Sequence, residues 1–146
     1  MIRNHLMIVP ILLPMVAGAF LLLLDERRHG MKAAISLVST FALAVVAVML
    51  VGIADTGGAP DGRTLTNAYL LGNWPAPFGI VLVLDRLSAL MVLLASVLAV
   101  AALLYALARW DRSGPHFHSL FQFLLMGLSG AFLTGDLFNL FVFFEV

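Results

Sequence analysis

Glu145 follows the apolar run Leu137 to Phe144 and is the only carboxylate of this sequence placed well inside a membrane-grade hydrophobic segment. An ionisable side chain near the middle of a bilayer costs about 2.5–3.5 kcal/mol on insertion scales, so such a residue reads as a functional site. A carboxylate in low-polarity surroundings can store a proton and release it when positive charge approaches, which a proton relay or an ion-exchange site requires. The structural alternative is a glutamate that only hydrogen-bonds a neighbouring helix or snorkels towards water. If Asp136 caps the helix that carries it, Glu145 lies roughly 13 Å further along, near the middle of a hydrocarbon core of about 30 Å. Phe138, Phe141 and Val142 precede it by helical spacings and share its face.

A second constellation is His118, Gln122, Ser129 and Asp136, whose intervals place them within about 40° of one another on a helix. Such a stripe is either a hydrogen-bonding seam between helices or one wall of a hydrated proton path, and seams are the commoner use. Asp136 follows a glycine and precedes an apolar run, so it reads first as an N-cap and second as part of an outer ion entrance. Asn139, in the first turn of that helix, suits a local or interhelical hydrogen bond. His118 can also exchange protons at cellular pH, since the reference pKa of histidine is about 6.5. His116 and His118 could meet one metal in an extended segment, but no third ligand is nearby and no metal site is expected. Gly127 and Ala131 form a small-xxx-small pattern that favours close helix packing.

The elements that carry these residues are membrane helices. With 62% apolar and 11% charged residues, and a mean hydropathy of +1.07, the composition is that of an integral membrane protein. Leu6 to Leu24, Ala33 to Ile53 and Leu87 to Leu107 each reach the spanning length of about 20 residues without an internal charge. The expected architecture is all-α, with helices at about 5–24, 33–53, 87–108 and 118–134, and a fifth beginning at 137–146. Pro10 and Pro14 are expected to kink the first helix. Because the sequence stops inside an apolar segment, it reads as an N-terminal piece of a longer chain. A secretory signal is disfavoured, since the first apolar run continues to Leu24 and basic residues follow it.

Arg27, Arg28, Lys32, Arg109 and Arg112 fall in two short loops, whereas the other side holds Arg3, Arg63 and Arg86. The basic loops are therefore expected in the cytoplasm, with Lys32 in one of them and the N-terminus outside. Tyr69, Trp74, Tyr105 and Trp110 suit headgroup anchors. Between the second and third helices, 54–86 opens with a turn-rich polar loop. It continues as two short apolar runs around a Pro/Gly turn, with β-branched Ile80, Val81 and Val83. This reads as a small β-hairpin on the outer surface, against the rival of one long helix interrupted at Asp85-Arg86. Asp85 and Arg86 themselves suit a local ion pair or a helix start. His5 and His29 are expected to be solvated.

Eight basic residues balance eight acidic ones, which argues against a nucleic-acid partner. Absence of cysteine excludes disulfides and thiolate chemistry. No phosphate-cradling loop, nucleophile triad or cofactor motif is present, and no cofactor is expected.

The stretch HFHSLFQFLLMGLSGAFLTGDLFNLFVFFEV, with GDLFNLFVFFE as its most specific part, resembles the D-type subunits of the multisubunit (Mrp-type) monovalent cation/proton antiporters. NWPAPFGIVLVLDRLSALM and the proline-containing first span extend the resemblance over nearly the whole chain. That family is similar to the antiporter-like membrane subunits of respiratory complex I and membrane-bound hydrogenases, built on inverted five-helix repeats. The resemblance implies a transporter subunit rather than an enzyme, in a bacterial inner membrane, working with other subunits, protons and monovalent cations. It matches Glu145 to a proton-handling glutamate that pairs with a lysine on a later helix. This sequence departs from the pattern there, because Lys32 is its only lysine. A proton-pumping respiratory or hydrogenase subunit is the alternative, and a scaffold that packs partner subunits is the third reading.

Overall fold

The computed structural model describes residues 5–25, 27–56, 67–70, 79–109, 114 and 116–145. Among the described residues, five helices and one two-stranded sheet follow in the order α1 (Val9–Leu23), α2 (His29–Thr56), β1 (Asn67–Leu70), β2 (Val81–Leu84), α3 (Arg86–Arg109), α4 (Phe117–Leu133) and α5 (Leu137–Glu145). Two of them, His29–Asp55 and Arg86–Arg109, are long and apolar enough to cross a bilayer, while Val9–Leu23 and Phe117–Leu133 are shorter apolar helices. The polar loop at 57–66, the inter-strand turn at 71–78, and Arg3, Arg63, Trp74, Trp110 and Arg112 lie outside the described residues.

Proline chemistry explains why α1 starts late. Residues 6 to 8 form turns, with Ile8 N–H reaching His5 O at 3.4 Å and Val9 N–H reaching Leu6 O at 3.3 Å. Pro10 sits in the first helical turn, where no donor is needed, and Pro14 lies inside the helix, which continues to Leu23.

α4 is the hub, packing against α1, α2, α3 and α5. α2 also lies along α3 and α1. β1 and β2 pair antiparallel, from Asn67 opposite Leu84 to Leu70 opposite Val81, giving the expected hairpin. Along β2 burial alternates, as period-two geometry requires, and Leu82 and Leu84 face inward. They join Met7 and Ile11 before and in α1, Ala47 and Leu50 of α2, Ala89 and Val92 of α3, and Leu133 of α4 in one apolar cluster. The hairpin therefore closes the end of the bundle where α2 and α4 finish and α3 begins.

Polarity is inverted relative to a water-soluble domain. Lys32, Ser36, Ser39, Thr40, Gln122 and Ser129 are buried, while Val38, Phe41, Val48, Leu94, Val97 and Leu98 stand outside. An apolar exterior around polar contacts is what hydrocarbon solvent selects, because polar groups there find partners only inside the protein.

Candidate functional site

Gln122 is 0% exposed and stands at the centre of the bundle's polar interior. Its Nε2 lies 3.1 Å from Ser36 O, Ser36 Oγ and Thr40 Oγ1, three acceptors sharing two hydrogens. Its Oε1 accepts from Ser39 Oγ at 3.1 Å, and Thr40 Oγ1 donates to Ser36 O at 2.8 Å. This is the seam expected of the α4 stripe, and its partners are the Ser36, Ser39 and Thr40 hydroxyls of α2. α1 closes over it at Gly18, where a Cβ would lie 3.1 Å from Phe123 Cε1 and 3.3 Å from Gln122 Cβ.

His118 and Ser129 are buried on the same helix, but Asp136 leaves the stripe. α4 ends at Leu133; Thr134 turns extended, Leu82 bridges to Thr134, and Gly135 N–H donates to Val81 O at 2.8 Å. The hairpin thus captures the linker before the helix can reach Asp136. A Cβ at Gly135 would run into the Val83 side chain, so the linker passes close to the strand only as glycine. Asp136 instead caps α5: its Oδ1 accepts from Phe138 N–H at 3.3 Å and its Oδ2 from Asn139 Nδ2 at 3.4 Å.

Glu145 is exposed in the last turn of α5, and Phe138, Phe141 and Val142 are exposed with it. The shared face is thus present, but this chain does not bury the carboxylate. The reason is the way α5 docks. Asn139 is buried, and the Phe143 ring seats against Gly130 of α4 so closely that a Cβ there would overlap it. At 100° per residue Glu145 points well away from the Asn139–Phe143 line.

Lys32 corrects the loop assignment. α2 begins at His29, so Lys32 occupies its first turn and is only 3% exposed. The spacing from Lys32 to Ser36, Ser39 and Thr40 puts it on the stripe that faces Gln122. Hydropathy alone misses this, since a cation lowers the window average whichever way its side chain points. Lys32 and His29 line a small cavity with Gly114, His116, Phe117, His118 and Ser119 at the end opposite the hairpin. His116, which precedes α4, has φ 59°, a left-handed conformation that turns the chain into the helix. His118 meets Phe117 edge-on at 5.3 Å between ring centroids. Among the described residues, no three His, Cys, Asp or Glu side chains converge as metal ligands.

At the hairpin end, Asp85 starts α3 as a reciprocal cap. Its Oδ1 accepts from Ser88 N–H at 2.6 Å while its own N–H donates to Ser88 Oγ at 2.9 Å. These bonds, the backbone one foremost, hold the Asp85 carboxyl below the usual carboxylate range. Arg86 pairs with Asp55 of α2 at 2.9 Å instead of with its neighbour. His5, expected to be solvated, is exposed but meets the Tyr69 hydroxyl through Nδ1 at 3.1 Å.

Comparison with known proteins bears on what these helices belong to. No family model matches the chain. The D-type subunit of a probable K+/H+ antiporter of Rhizobium meliloti is 56% identical over 144 residues, covering 98% of this chain and 26% of that protein. The D-type subunit of a Na+/H+ antiporter of Alkalihalophilus pseudofirmus is 45% identical, covering 98% of this chain and 28% of that protein. In structure, the chain is similar to part of an Mrp complex from Dietzia sp. DQ12-45-1b, with a TM-score of 0.85 and 25% identity over 99% of this chain and 26% of the matched one. It is also similar to part of a membrane-bound sulfane sulfur reductase, an archaeal respiratory membrane complex, with a TM-score of 0.83 and 26% identity, covering 95% of this chain and 28% of that one. The chain spans little more than a quarter of the length of the curated relatives it matches. Agreement in sequence along nearly all of its residues, joined to the same helix arrangement, makes this membrane chain a homologue of the D-type subunits of multisubunit (Mrp-type) monovalent cation/proton antiporters, corresponding to about a quarter of their length.

Proposed function

We propose that the protein containing this sequence exchanges a monovalent cation such as sodium for protons as one subunit of a hetero-oligomeric complex in the bacterial inner membrane. In this reading α1 to α4 each cross the bilayer, α5 begins a fifth crossing, and the N-terminus lies outside. The basic turns around α2 and after α3 then face the cytoplasm. Glu145 is the proton site. The observation that carries the reading is the 56% identity to the D-type subunit of an antiporter along 98% of the chain.

The physical argument for Glu145 is its neighbourhood. Its face of α5 is apolar and uncovered by this chain, so other helices or lipid must cover it in the assembled protein. A carboxylate enclosed that way keeps its proton until a cation arrives to balance the charge. A proton-pumping subunit of a respiratory or hydrogenase complex is the second reading, favoured by the likeness to the archaeal respiratory complex. The antiporter reading is preferred because its sequence agreement is far higher.

The test is Glu145→Gln in the full-length protein within its complex, assayed for cation-driven proton flux in inverted vesicles. The variant should assemble normally and lose flux by about 100-fold or more, as when a proton-transfer group is removed. Wild-type flux in an assembled variant refutes the proton site.

A further inference from the structure

The cavity at the end opposite the hairpin is about 10 Å³, near the size that holds one water molecule. Three of the side chains that line it are almost wholly enclosed, Lys32 at 3%, His118 at 4% and Ser119 at 1% exposed. Ser119 Oγ has no hydrogen-bond partner among the described residues. A buried hydroxyl beside a polar space of this size is satisfied most simply by an ordered water. Exposed His29 and His116 also line it, together with Gly114 and Phe117, so two imidazoles that reach the surroundings border the cavity.

From these contacts we propose that Lys32, His118 and Ser119 enclose an ordered water and together form a proton-exchange site at the start of α2 and α4. Ser119 holds the water. A proton delivered from solvent through His116 or His29 passes to the water, and the water passes one to a basic nitrogen of the His118 imidazole. The return transfer regenerates the water and neutral imidazole, so no other reactant is consumed. The Lys32 side chain sets the local charge against which His118 takes up that proton. The other described charged groups near this end are Asp25, Arg27 and Arg28 between α1 and α2, and Arg109 closing α3, all exposed. Gln122, one helical turn beyond His118, is already committed to Ser36, Ser39 and Thr40, so the seam is the inner floor of the site.

This inference rests on the proton-coupled reading above, with this end facing the cytoplasm. Its test uses the full-length complex in inverted vesicles, where the external pH is the pH at this site. His118→Gln and Lys32→Met should each move the midpoint of the flux–pH profile by about 0.5 unit or more, since histidine titrates in this range. Superimposable profiles from assembled variants overturn the proposal. Should either variant fail to assemble, the wild-type complex decides, at a resolution that shows ordered water. Density within hydrogen-bond distance of Ser119 Oγ is expected, and a dry cavity overturns the site. Failure of the Glu145 reading looks different, because there flux persists in Glu145→Gln whatever happens to the profile of His118→Gln.

Discussion

Gln122 concentrates four polar contacts in one buried side chain, and each alternative partner would have to come from water that hydrocarbon does not supply. Gln122→Leu keeps the volume roughly but strands the Ser39 hydroxyl and takes the Nε2 donor from three acceptors, two on Ser36 and one on Thr40. The expected loss is about 1–2 kcal/mol, held down because single hydrogen bonds in membrane proteins average about 0.6 kcal/mol. Thermal unfolding of the purified full-length protein in detergent checks it. Ser39→Ala removes one contact only and should cost less.

Asp85 is the other residue whose contacts make a quantitative statement. Its carboxyl is lowered by the Ser88 bonds, so the stability it contributes is fully present above the ordinary carboxylate range near pH 4. That stability is lost as pH falls through the depressed folded value. Asp85→Ala should therefore destabilise the start of α3 by about 1 kcal/mol at neutral pH. The gap between variant and wild type should close on acidification below about pH 4, as followed by thermal unfolding across a pH series. The exposed Arg86–Asp55 pair is expected to contribute little by comparison.

Between elements, the decisive contact is the one that sets α5 on α4. Phe143 occupies the space a side chain at Gly130 would need. Gly130→Ala forces the ring to move and should cost about 1–3 kcal/mol as overpacking. Because the shift also turns α5, the variant should lower flux in the assembled complex. Replacing Phe143 by the smaller leucine in the same protein should restore both. A double-mutant cycle on stability and flux checks the coupling, and additive effects would count against the contact. The hairpin acts on the same helix from the other side, since Val81 and Leu82 hold the Thr134–Gly135 linker that orients Asp136 and the first turn of α5.

Taken whole, the molecule places its polar groups along the contact of α2 with α4 and its apolar side chains outward, with one apolar cluster under the hairpin. The polar contacts run from Lys32 and His118 at one end to Gln122 in the interior, whereas Glu145 stands on a different face of the assembly. The two proton-handling regions proposed above therefore lie on separate faces of the molecule. The loss of flux expected for Glu145→Gln belongs here, because that carboxylate acquires its surroundings only from what packs on α5.

Much of this was legible in the linear chain for a simple reason: apolar run length, turn residues and caps are local. The runs Ala33 to Ile53 and Leu87 to Leu107 mark α2 and α3, the Pro/Gly turn and β-branched residues mark the hairpin, and Gly135-Asp136 marks the start of α5. Even the stripe of His118, Gln122 and Ser129 follows from helical periodicity. What periodicity does not carry is direction. Whether a polar face meets another helix or lipid depends on how the helices dock, so Lys32 turned inward and Glu145 turned outward only in three dimensions. Asp136 was decided the same way, for a strand distant in sequence captured Gly135 and ended α4 before the stripe reached it.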